Sequence, residues 1–303
     1  MSTVSNDVNQ QQCDKKPCDA VTMVIHPKEK ELGGFSVRRV LPYAQQRMVG
    51  PWIFFDHMGP AQFPAGDGIN VRPHPHINLA TVTYLFEGEI LHRDSLGSLQ
   101  AIKPGDINLM VAGKGIVHSE RERPEIKAQD HQLHGLQLWM ALPEKDEEIE
   151  PAFYHYPEAD IPHTQVNDVP IRVMIGQAYG IKSPVKTFAN TLYIEADVQC
   201  GQSLVLPEAQ ERAVYVASGK VDINGAVVEQ YQMAVIAPGK TVCVEAIETA
   251  RIAVIGGEKM APRHMFWNFA SSSKERIEQA KLDWQEGRFP KVPGDEDEFI
   301  PLP

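Results

Sequence analysis

The sequence predicts an all-β protein: two similarly planned sandwich or barrel units, followed by one short helix and an extended tail. Three observations predict this. Short runs rich in Val, Ile, Tyr and Leu recur between Gly and Pro turns. Two segments repeat at a shift of about 130 residues. Near the C-terminus, one stretch carries helical spacing and helix-end signals. A length of 303 residues and a 43% hydrophobic content give enough apolar material for two cores.

Taken in order, residues 1–22 are polar and read as a disordered tail. They lack the apolar stretch of a secretory signal. The four cysteines, Cys13, Cys18, Cys200 and Cys243, are too sparse for a disulfide framework. Free thiols in a reducing compartment, the cytoplasm, are the expectation. Strand candidates follow at Ala80–Ile90, Asp106–Gly113, Leu133–Pro143, Thr191–Val198, Arg212–Ile223, Gln232–Gly239 and Arg251–Gly257. The repeat matches Thr83–Gly88 (TYLFEG) to Val214–Gly219 (VYVASG), and Met110–Glu120 to Ile236–Ala246. It implies an N-terminal unit over 23–150 and a C-terminal unit over 151–303, the latter carrying the helix and tail. The helix starts at Ser272 with Glu275 in a capping box and stops at Gly287. Ile277, Ala280, Lys281 and Trp284 share one of its faces.

The charge excludes some functions. A formal net charge of -11 without a Lys/Arg run opposes direct nucleic-acid binding, and no apolar stretch is long enough for a membrane helix.

The chemistry sits in two short motifs. Side chains i and i+2 of a strand share a face, so His74 and His76 project together, as do His118 and Glu120. Three imidazoles and a carboxylate suit one mononuclear transition-metal ion: Fe(II) foremost, with Mn, Ni, Co, Cu or Zn compatible. Such a set leaves positions open for a reactant, as catalytic sites do. The repeat places Val205 and Pro207 opposite His74 and His76, and Val244 and Ala246 opposite His118 and Glu120. The second unit is therefore expected to hold no metal. His92 is a candidate hydrogen-bond partner of the centre, and Lys114 a candidate anchor for an anionic substrate. Phe54, Phe55, Met110, Leu138 and Met140 are candidates for an apolar pocket, and His57 is read as fixing a turn.

The segments FDHMGP, HPH, TVTYLFEGEILHRDSLGS, KPGDINLMVAGKGIVHSE, HGLQLWMALP and FIPLP resemble the pirin family of the cupin superfamily, from about Val24 to the end. The resemblance implies a bicupin fold, two jelly-roll barrels with a C-terminal helix. It implies His74, His76, His118 and Glu120 as metal ligands. It also implies a quercetin 2,3-dioxygenase-type reaction of a flavonol or similar enol with O2, in which Glu120 is the candidate base. The family equally implies an alternative: a non-enzymatic regulator that binds a transcription factor or metabolic enzyme, its metal structural or redox-sensing. Fold alone does not choose between them.

Overall fold

The β-branched and aromatic runs fold as antiparallel strands in a computed structural model that describes Cys13, residues 19–32 and residues 35–303. The chain divides into two compact units, each with its own sheets.

One unit comprises Lys28–Glu158 and Met260–Pro303. Its seven-stranded sheet runs Ala152–Tyr156, Ile107–Val111, Leu79–Glu87, His131–Ala141, Trp52–Phe63, Phe35–Leu41, Lys28–Leu32. A four-stranded sheet runs Val71–His76, Ile116–Arg121, Ile90–Asp94, Leu99–Ile102. Phe35, Val37, Met58 and Phe63 from the first sheet pack with Ile90 and Ile102 from the second, closing a sandwich.

The other unit comprises the described residues up to Pro27 together with Ala159–Lys259. Its nine-stranded sheet has Glu211–Ile223 and Cys243–Gly257 at its centre. The repeat is visible in the pairings. Leu79–Glu87 lies between its partners as Glu211–Ile223 does, and Val71–His76 pairs Ile116–Arg121 as Ser203–Val205 pairs Cys243–Gly257. Registers, however, shift the sequence alignment by one residue. His118 faces His74, whereas Val244 faces Leu204 rather than Val205. Leu204, Leu206, Val244 and Ala246 belong to a core of apolar side chains that fills this unit.

Several sequence expectations change. The units interleave along the chain, where the sequence suggested consecutive domains. The terminal helix belongs with the first unit, because Ile277 and Ala280 bury against Ile77 and Phe269. Val21 and Thr22, assigned to the tail, begin the strand Val21–Ile25, which pairs with Met233–Ile236 of the second unit. Most of the expected disordered tail, Cys18 included, lies outside the described residues. Cys13 is not a free thiol. It is bonded to Cys243 across 230 positions, with Cα atoms 5.5 Å apart, while Cys200 is free and exposed. The Ala237 N–H donates to the Ala20 carbonyl. No local spacing could reveal the Cys13–Cys243 pair.

The helix spans Lys274–Gln285, and its cap is Ser273, one residue beyond the expected Ser272: the Ser273 hydroxyl accepts from the Arg276 N–H. Gly287 ends it at φ 66°, a left-handed conformation that costs glycine little. Lys281 lies over the Phe266 ring, so it packs on the shared face without being buried. Among the described residues no helix is long and apolar enough to cross a membrane.

Residues Met260–Pro303 are tied down by charge as well as by packing. Arg263, its side chain 2% exposed, forms a skewed ion pair with Glu147 at 2.8 Å, and Glu147 also accepts from the Ser271 and Ser272 hydroxyls. Removing one partner leaves a buried, uncompensated charge. Glu147→Ala is expected to lower the stability of this unit by about 3 kcal/mol, measured as a shift in the urea unfolding midpoint.

Candidate metal centre

The Val71–His76 and Ile116–Arg121 strands are antiparallel partners with His118 directly opposite His74 and Ile116 opposite His76. Pleating turns His74 and His76 to one face, where His118 meets them. The three imidazoles form a group whose candidate ligand atoms all lie within 4.8 Å of one another. The Nε2 atoms of His76 and His118 are 3.1 Å apart. Two nitrogens bound at about 2.1 Å to one ion, at a right angle, lie about 3.0 Å apart.

The remaining ring nitrogens have partners that set the tautomers. His74 Nδ1 donates to the Arg72 carbonyl at 2.9 Å, and His76 Nδ1 to the Asn268 carbonyl at 3.1 Å. Each leaves its Nε2 lone pair free. For His118 the partner is a side-chain chain. Asp94 Oδ2 lies 3.0 Å from His92 Nε2, and His92 Nδ1 lies 3.4 Å from His118 Nδ1. With Nε2–H given to Asp94, His92 presents its Nδ1 lone pair to the His118 Nδ1–H. Asp94 is fully buried, and its Oδ1 accepts from the Leu96 and Ser98 backbone N–H groups. Burial pushes the Asp94 carboxyl up, but the bonds from His92 and Ser98 outweigh this and hold it below its ordinary value. His92 stacks on Phe153 with ring centroids 4.3 Å apart.

Burial also keeps the imidazoles uncharged. It lowers His74 to about 4, against the Arg72 carbonyl and with the help of His92. His76 and His118 fall well below their ordinary value, first through burial and then through neighbouring imidazoles. Neutral, lone-pair-bearing imidazoles are the form a divalent ion requires, so the donor set fits one.

Glu120 follows an irregularity in the strand register and faces Val71 on one side and His92 on the other. It stands outside the three-histidine group. Gln137 Nε2 donates to its Oε1 at 2.8 Å. Burial raises the Glu120 carboxyl above its ordinary value, with Gln137 and His92 opposing.

His74 and Glu120 line a cavity of about 400 Å³. Phe54 and Trp139 form one wall, stacked at 3.8 Å with 8° between the rings. The Arg39 guanidinium lies 4.3 Å from the Phe54 ring centre and donates to both oxygens of buried Asp56, at 2.8 and 2.7 Å. Trp267, Asn268 and Ile300 line the cavity as well.

Of the pocket residues expected from sequence, Phe54 lines this cavity. Phe55, Leu138 and Met140 are buried with the opposite strand parity, and Met110 packs in the apolar cluster behind Phe54 and Trp139. The parity is set by Trp139 facing Phe54 and Gln137 facing Asp56 across the strand pair. Strand alternation in the phase of Phe54 marks Asp56, Gln137 and Trp139; Arg39, Trp267 and Asn268 gave no such signal. Lys114 is not at the cavity: its ammonium pairs with exposed Glu150 at 2.5 Å. His57 sits within a strand rather than a turn, fully buried, with its Nε2 2.8 Å from that of His134.

Residues 34–140 match the Pirin family, and residues 192–290 match the Pirin C-terminal cupin domain. The chain is 47% identical over 287 residues to a pirin-like protein of Caulobacter vibrioides, covering 93% of this chain and 99% of that one. It is 32% identical over 279 residues to human pirin, covering 88% and 93%. Its fold superposes on a crystal structure described as quercetin 2,3-dioxygenase from Acinetobacter baumannii with a TM-score of 0.86 and 33% identity, covering 93% and 94%.

Two measurements test the centre. The imidazoles that would bind an ion are already neutral at pH 7, and their folded values lie below the ordinary 6.5, with His74 at about 4. Protons therefore compete little near neutrality. Metal affinity, read by chelator competition, is expected to change little between about pH 6.5 and 8 and to fall only as pH drops toward about 4. Without metal, the unfolded chain binds protons at these sites that the folded chain refuses. Stability should thus be full above about pH 6.5 and decline below it. Second, Asp94→Asn keeps the carbonyl oxygen for Leu96 and Ser98 but removes the charge that orients His92. It is expected to weaken metal affinity by about 10-fold to 100-fold in the same competition assay.

Proposed function

This chain belongs to the pirin family of cupin proteins, and on that footing we propose that its first unit is a metal-dependent dioxygenase of the quercetin 2,3-dioxygenase type. The observation that carries this is one arrangement. Three neutral imidazoles with free Nε2 lone pairs converge beside an aromatic-walled cavity large enough for a planar enol. Four donors leave positions of a six-coordinate ion open, whereas a site built only for structure is closed.

His74, His76 and His118 would hold the ion, for which we propose Fe(II), and Glu120 would complete the set. The ion would supply Lewis acidity toward an enol oxygen and an open position for O2. The protein's own groups do the rest. The stacked Phe54–Trp139 pair would bound one side of the cavity and keep water from a flat ring system lying against it. Gln137 holds Oε1 of Glu120, which leaves Oε2 to take the enol hydroxyl proton. A carboxylate held through one oxygen keeps the other available as a base.

Glu120→Gln keeps the shape but lacks the basicity. It is expected to retain metal and to lose flavonol-dependent O2 consumption by about 10²-fold. His118→Ala should lose metal and activity together. A metal-loaded wild-type protein that consumes no O2 with any flavonol would sink the oxygenase reading and favour the regulatory one.

A further inference from the structure

Besides its metal-facing end, the cavity has a charged mouth. Arg72, His74 and His76 alternate along one strand and share a face. Their exposure falls in that order: Arg72 is half-buried, His74 is 6% exposed and His76 is 1% exposed. Arg72 therefore stands about 6.6 Å along the strand from His74 on the solvent side, and it lines the same cavity.

Its guanidinium is the uncommitted cation there. Arg39 is locked by two bonds to Asp56 and lies on Phe54. Lys114 is outside, paired with Glu150. Among the described residues, Arg72 forms no ion pair or side-chain hydrogen bond, and the cavity-lining acids Glu31 and Glu120 do not engage it. Its backbone carbonyl is occupied in holding His74, so the residue is anchored while its side chain is free. A planar ligand lying along Trp139 with one end at the histidines would carry its other end past this guanidinium.

We propose that Arg72 is a specificity-determining residue, and that the substrate class is a planar aromatic enol bearing an anionic group, a carboxylate or sulfonate, at the end away from the metal. This rests on the oxygenase reading of the same cavity. A planar guanidinium suits such an oxyanion through paired N–H donors.

The test uses full-length protein loaded with zinc, which is redox-inert, in calorimetric titrations with two probes. One is quercetin, and the other is quercetin carrying a sulfonate on its pendant ring. The sulfonate is expected to bind about fivefold more tightly to wild type. Arg72→Gln should abolish that preference with zinc content unchanged, and Arg72→Lys should retain part of it. Equal affinities in wild type, or a preference that survives Arg72→Gln, overturns the assignment of Arg72 and leaves the oxygenase reading standing. If neither probe binds the zinc-loaded protein, both fall.

Discussion

Burying three imidazoles against one another is the constraint on which the first unit depends. Each ring carries an N–H that must be satisfied away from water if its other nitrogen is to remain a free donor. The strand itself supplies one acceptor, the Arg72 carbonyl. A neighbouring strand supplies the second, through His92 and Asp94. The third is the carbonyl of Asn268, 192 positions beyond His76. This last requirement gives the C-terminal segment a reason to return to the first unit. The Glu147–Arg263 pair, the Ile77–Phe269 contact and the helix packed on both hold Asn268 where His76 needs it.

The same strand plan supports opposite interiors. In the first unit the facing pair on the two short strands is His118 and His74; in the second it is Val244 and Leu204. Replacing imidazoles by branched aliphatic side chains exchanges a set of polar groups, each needing a partner, for plain apolar burial. The second core then needs none of the carbonyls and carboxylates that surround the first.

What was legible in the sequence follows from periodicity. The strands, the repeat and the convergence of His74, His76 and His118 are properties of alternation, which a single sequence displays. Phase was harder. Leu138 and Met140 look more like pocket residues than Gln137 and Trp139, because hydrophobicity does not say which face of a fully buried strand meets a cavity. The one-residue offset between Val205 and Leu204 has the same origin: the repeat fixes the spacing and leaves the parity open. The Cys13–Cys243 bond and the Asn268 carbonyl join positions far apart in the chain, and no local pattern marks them.

Arg39 shows how a charge far from the histidines can matter to them. Its guanidinium is held over Phe54 by Asp56, Phe54 is stacked on Trp139, and the Trp139 ring meets the His76 ring nearly at right angles with centroids 4.9 Å apart. These contacts form a continuous column from the cavity lining to a metal-binding imidazole. Phe54 is covered by the guanidinium and by Trp139, and Trp139 meets His76 edge to face, so a movement of His76 is coupled through Trp139 to Phe54. Asp56 is buried, and burial pushes its carboxyl up despite Arg39. The two Arg39–Asp56 bonds fix the far end of the column. The wall that would bound a flat substrate and the contact beside His76 are thus one structure, anchored at the Arg39–Asp56 ion pair.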